Sequence, residues 1–81
     1  MVKTIKLFAY LSEQVSPEVS LELPEQIDKE IILSAMSHAY PLFKGEIKTC
    51  NVAINQQFVI DESYFSHDVA EIALIPPVSG G

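Results

Sequence analysis

Arginine and tryptophan are absent from this chain, cysteine occurs once, and glycine occurs only three times in 81 residues. Each shortage removes a class of function. The five lysines (Lys3, Lys6, Lys29, Lys44, Lys48) are scattered and face 11 acidic residues, giving a net charge of −6. No basic run is present to neutralise phosphates, so nucleic acid is not an expected partner. An anionic membrane surface would repel the chain for the same reason. No apolar stretch approaches the roughly 20 residues that span a bilayer. The lone Cys50 forbids an internal disulfide, which a secreted domain this small would normally need. The apolar run from Leu7 to Leu11 is too short for a secretory signal. A cytoplasmic setting is therefore expected. With glycines only at 45, 80 and 81, the chain has no glycine-rich phosphate loop.

What is present is a 48% hydrophobic composition spread evenly along the chain, enough for one folded domain over residues 1–81. Residues 2–11 alternate, with Ile5, Leu7, Ala9 and Leu11 on one side and Thr4, Lys6, Phe8 and Tyr10 on the other. Period two predicts a strand with one buried face. A turn over 12–17 leads to a second alternating strand, 18–23, and so to an antiparallel hairpin. Pro24 suits a first helical position, with Glu25 and Asp28 near the positive end of the helix dipole. Ile27, Ile31, Ala35 and Ala39 then recur at helical spacing, beside Ile32 and Met36, until Pro41 stops the helix after about 15 residues. After a loop at 42–45, alternation predicts strands at 47–54, 57–60 and 70–75. The first two are joined by a tight Asn55-Gln56 turn, and the loop at 61–68 tucks Tyr64 and Phe65 onto the core. One helix covers one face of such a sheet. The expected fold class is α+β, a β-grasp (ubiquitin-like) mixed sheet of about five strands on one main helix, with a right-handed crossover.

The usual catalytic groupings are missing. His38 falls in the last helical turn, where a cation suits the dipole, and His67 falls in a polar loop. Cys50 shares the parity of Val52 and Ile54 and is expected in the core as a small apolar residue. Asp61, Glu62 and Glu71 read as a solvated rim, and no metal site is expected.

The tail is the unusual feature. The sequence ends Pro76-Pro77-Val78-Ser79-Gly80-Gly81. At a glycine frequency of about 7%, a final pair arises by chance about once in two hundred chains. Pro76-Pro77 cannot continue the last strand and forces an extended exit. A stiff stalk ending in a flexible, side-chain-free tip with a carboxylate at Gly81 suits insertion into a narrow tunnel of another protein. The exposed parity also places Phe8 of the first strand and Ile75 of the last together if those strands pair, with Phe58 in the short strand. Such an apolar patch marks an interaction surface.

At this point the residues resemble a known family. Ile5-Lys6-Leu7-Phe8-Ala9, the Asn55-Gln56 turn and above all Ala73-Leu74-Ile75-Pro76-Pro77-Val78-Ser79-Gly80-Gly81 resemble the small subunits of molybdopterin synthase, ubiquitin-like β-grasp sulfur carriers. The resemblance covers the whole chain. It implies that the Gly81 carboxylate is adenylated by a separate ubiquitin-activating-like enzyme using ATP and is then converted to a thiocarboxylate. It further implies that Pro76, Pro77, Val78, Ser79 and Gly80 carry this group into the synthase large subunit, within a heterotetramer. There the sulfur passes to cyclic pyranopterin monophosphate. The family's docking patch maps onto Phe8, Phe58 and Ile75. No cofactor on this chain is implied, and the acid and base groups belong to partners. Where such subunits carry Asp-Gly-Asp before the last strand, this chain has Asp68-Val69-Ala70. The alternatives are a carrier for thiamine or tRNA thiolation, which usually lacks the Pro-Pro-Val stalk, and a β-grasp interaction module without covalent chemistry.

Overall fold

A computed structural model describes residues 1–77; Val78, Ser79, Gly80 and Gly81 of the predicted tail lie outside the described residues. The elements run β1 (Val2–Leu7), α1 (Ala9–Gln14), β2 (Glu18–Glu22), β3 (Gln26–Ile27), α2 (Lys29–Ala39), a 3-10 turn at Pro41–Phe43, and α3 (Lys44–Lys48). They continue with β4 (Asn51–Ile54), β5 (Gln57–Val59), β6 (Tyr64–Phe65), a 3-10 turn at Ser66–Asp68, and β7 (Ile72–Ile75).

Five strands form one sheet in the order β2-β1-β7-β4-β5. β1 and β7 are parallel, and the other pairs are antiparallel. Because successive side chains in a strand point to opposite faces, Ile5 and Leu7 of β1, Ile72 and Leu74 of β7, and Val52 and Ile54 of β4 all turn to one side, where each is buried. Ile32 and Met36 of α2, Ile47 of α3 and Leu11 of α1 fill the same core. This is the expected β-grasp arrangement, with the last strand inserted between β1 and β4.

Several predicted boundaries move. The first strand ends at Leu7 rather than residue 11. Ala9 takes φ 53° and starts a helix, so Leu11 reaches the core from α1 instead of from a longer β1. The main helix begins at Lys29, not at Pro24, and has 11 residues. Its N-cap is Asp28, whose Oδ1 accepts the Ile31 N–H at 2.8 Å. Residues 24–27 serve another ladder. β3 pairs with β6, Ser66 N–H donates to Glu25 O at 2.7 Å, and the buried Ser66 hydroxyl donates to Pro24 O. Residues 44–48, predicted as loop and strand start, form α3, which turns Ile47 inward. Tyr64 packs on the core as expected. Phe65 does not: it stays exposed and stacks on His67 with ring centres 5.7 Å apart.

The Asp28 cap satisfies an N–H that the helix itself leaves unpaired. Asp28→Ala should cost about 1 kcal/mol. Urea denaturation checks this as a fall of roughly 0.3–1 M in the midpoint, at the slopes usual for small domains.

Candidate functional site

The site is built on the sheet face opposite α2. Strand register places Lys6 beside Ala73, Ala73 beside Ala53, and Ala53 beside Phe58, in one row across β1, β7, β4 and β5. One pair further along β7, Ile75 faces Asn51. Phe8, directly after β1, keeps an extended backbone (φ −134°, ψ 161°) and so stays on this face. Phe8, Phe58 and Ile75, predicted as a patch, thus come together with Ala53, Ala73, Gln56 and Glu71 around a trough of about 240 Å³. Its floor is the two alanines, only 7% and 6% exposed, and its walls include Phe58 (63% exposed) and Phe8 (46% exposed). Small floor residues between large, exposed aromatic walls leave a concave apolar surface that a partner can fill. Lys6 and Glu71 pair at 3.5 Å on its polar rim.

Asn55 is a residue that sequence reasoning used only as a turn marker. Asn55 and Gln56 have φ of 51° and 68°, the left-handed pair that a two-residue hairpin requires and that asparagine tolerates better than most residues. The Asn55 side chain does more than permit the turn. Its Oδ1 accepts N–H groups of Ala70 at 2.8 Å and Glu71 at 3.1 Å, while its own backbone N–H donates to Glu71 O at 2.8 Å. The β4–β5 hairpin is thereby tied to the segment entering β7, which fixes Phe58 relative to Ile75. The same bonds hold the segment after Asp68-Val69 as it enters β7. An asparagine at a hairpin tip was the available signal; its partner 15 residues on was not visible in sequence.

Ile75 ends β7, and the chain leaves the sheet through half-buried Pro76 and exposed Pro77. Neither proline has an N–H to extend a ladder. The remaining tail residues, Val78, Ser79, Gly80 and Gly81, are outside the described residues.

The other ionisable candidates are not gathered into a reactive centre. His38 is exposed in the last turn of α2. His67 is exposed, 3.4 Å from Asp68. Glu62 accepts N–H groups of Ile60 at 2.8 Å and Asp61 at 3.1 Å, and these bonds, Ile60 foremost, hold its carboxyl below the usual range. Cys50 is buried as predicted, its thiol donating to Glu46 O at 3.4 Å, and burial pushes its pKa up. Among the described residues, no group of three or more His, Cys, Asp or Glu could hold a metal ion. No helix among them is long and apolar enough to cross a membrane.

Comparison with known proteins then decides the family. Residues 5–81 match the profile of the ThiS family. The chain belongs to that family. Among ThiS-like relatives, the molybdopterin synthase sulfur carrier subunit of Chlamydomonas reinhardtii is 35% identical over 65 residues, 79% of this chain and 78% of its own. That of Dictyostelium discoideum is 30% identical over 80 residues, 95% of this chain and 93% of its own. Among solved structures, SAMP1 from Haloferax volcanii superposes with a TM-score of 0.76 at 28% identity, over all of both chains. A chain of the complex of subunits 1 and 2 of the molybdopterin-converting factor of Helicobacter pylori superposes with 0.65 at 18% identity, also over both full lengths, which speaks for the β-grasp fold.

Thiolate is the reactive form of cysteine, and burial disfavours it. Cys50 should therefore react slowly with iodoacetamide in the native chain at pH 8. The rate should rise steeply once urea unfolds it. Rapid native labelling, read by mass spectrometry, would place the thiol at the surface instead.

Proposed function

We propose that this ThiS-family chain is the sulfur carrier of molybdenum cofactor biosynthesis, the small subunit of a molybdopterin synthase. One observation carries the reading most. Ile75 is both a wall of the apolar trough and the last residue before Pro76-Pro77, so a partner seated on Phe8, Phe58 and Ile75 receives the tail that starts beside them. The full-length likeness to proteins named molybdopterin synthase sulfur carrier subunits supports the same assignment.

The chemistry follows from the tail. A carboxylate is a poor electrophile. A ubiquitin-activating-like enzyme joins the Gly81 carboxylate to the AMP portion of ATP with loss of pyrophosphate, and AMP then leaves when a sulfur nucleophile attacks the acyl carbon. The resulting thiocarboxylate is a tethered sulfur donor, a group carried by a protein rather than by a small cofactor. Docking of the trough on the large subunit holds that sulfur near cyclic pyranopterin monophosphate and converts a bimolecular encounter into a local one. In this reading the carrier supplies position, and the acid and base groups belong to its partners. A cytoplasmic setting is part of this proposal and agrees with the single buried thiol, Cys50.

Incubation with the activating enzyme, ATP and a sulfur source should raise the intact mass by one oxygen-to-sulfur exchange. Deletion of Gly81 should abolish both that gain and molybdopterin formation. Phe58→Ser should leave the fold intact, because the ring is exposed, and should weaken large-subunit binding by about tenfold or more, as expected for an aromatic anchor. A chain that gains no sulfur, or a Gly81 deletion that remains fully active, would leave only a non-covalent module.

A further inference from the structure

The trough is not the only concave apolar surface. On the other side of the core, the outward face of α2, the Pro41 turn, α3 and the end of β5 enclose an open groove of about 620 Å³. Leu33, Pro41 and Ile60 supply its apolar surface, and Ile60 is 80% exposed. An isoleucine left this exposed beside a groove is surface that burial against a partner would stabilise.

The charge at this groove runs against the rest of the chain. Lys29, Lys44 and Lys48 line it, three of the five lysines in a molecule of net charge −6, and Glu30 is the acid among its lining residues. Among the described residues, none of these three lysines is in an ion pair; the pairs formed are Met1–Glu22, Lys6–Glu71 and His67–Asp68. Unpaired cations around an apolar floor select an occupant that is acidic on one side and apolar on the other. The shape of that occupant follows from the walls. α2 and α3 spend their backbone groups on internal hydrogen bonds, and the N–H groups of Ile60 and Asp61 at the end of β5 are taken by Glu62. The two N–H groups where the chain leaves β5 at the groove are thus already paired, so recognition there rests on side chains, as when an amphipathic helix lies in a groove.

We infer that this α2–α3 groove is a second docking surface, and that its occupant is an acidic amphipathic helix of a partner protein. It lies on the helix side of the core and shares no lining residue with the trough. A partner bound there leaves Phe8, Phe58 and Ile75 free, so the chain can be held by one protein while its trough face is engaged by another.

The test uses the full-length, ¹⁵N-labelled chain and a short synthetic helix with leucines on one face and glutamates on the other. Titration should move the amide signals of Leu33, Ser37, Lys44, Lys48 and Ile60 and leave those of Ala53, Phe58 and Ala73 in place. The same peptide with every glutamate replaced by lysine should not bind. The exposed pair Lys44→Glu, Lys48→Glu should weaken binding by about tenfold. Added salt should weaken it in the unaltered chain, a readout that depends on no substitution. Equal binding of the lysine peptide, shifts centred on Phe58 and Ala73, or no groove shifts at millimolar peptide would each overturn the inference.

Discussion

The central place of β7 is the constraint on which the molecule depends. This four-residue strand pairs with β1 on one side and β4 on the other, so it closes the sheet and completes the core at once. Alternation makes the two jobs inseparable. Ile72 and Leu74 are buried under the helices, and therefore Ala73 and Ile75 must face the other way. A slip of one residue would put Ala73 and Ile75 into the core and expose Leu74, which is why such a register is strongly specified. The apolar trough is thus not an addition to the fold. It is the reverse side of the pairing that holds the core together, and the tail inherits its starting point from the same register.

The Asn55 clamp extends that constraint to the second wall. Phe58 stands on β5, an edge strand of three residues held only by β4. An edge strand that short has few bonds with which to fix a large exposed ring. By accepting the N–H groups of Ala70 and Glu71, Asn55 links the hairpin tip to the stretch just before β7. The aromatic wall is then positioned by the strand that carries Ile75.

Period two in residues 2–7 and 72–75, the Asn55-Gln56 turn and the Pro41 stop could be read in the sequence because each is set by local chemistry. The trough followed from them once the first and last strands were paired. What could not be read was where local patterns stop. Ala9-Tyr10-Leu11 continues the alternation of β1, and only the left-handed backbone at Ala9 shows that Leu11 reaches the core by another route. Pro24 and Glu25 look like a helix start, yet they are held by Ser66, 42 residues away from Pro24. That contact lets Asp28 cap the helix later. β3 and β6 have two residues each, too few for any period to show. The α2–α3 groove was hidden for a similar reason: Lys29, the Lys44–Lys48 helix and Ile60 lie in three separate parts of the sequence and converge only in space.

The placement of the single thiol bears on the proposed chemistry. An acyl adenylate is open to attack by any nucleophile within reach, and a thiolate on the same protein would compete with the intended sulfur donor. Cys50 is kept from that role in two ways. It lies in the core, 2% exposed, with its Sγ donating to Glu46 O, and burial favours the unreactive thiol over the thiolate. A carrier of this kind works by being chemically inert everywhere except at the group it carries. Beside the trough the one lining carboxylate, Glu71, is engaged by Lys6, and apart from Gln56 the other lining residues, Phe8, Ala53, Phe58, Ala73 and Ile75, are apolar. In the proposed reaction recognition and chemistry are thereby separated: the sheet face is the docking surface, and only the carried group reacts.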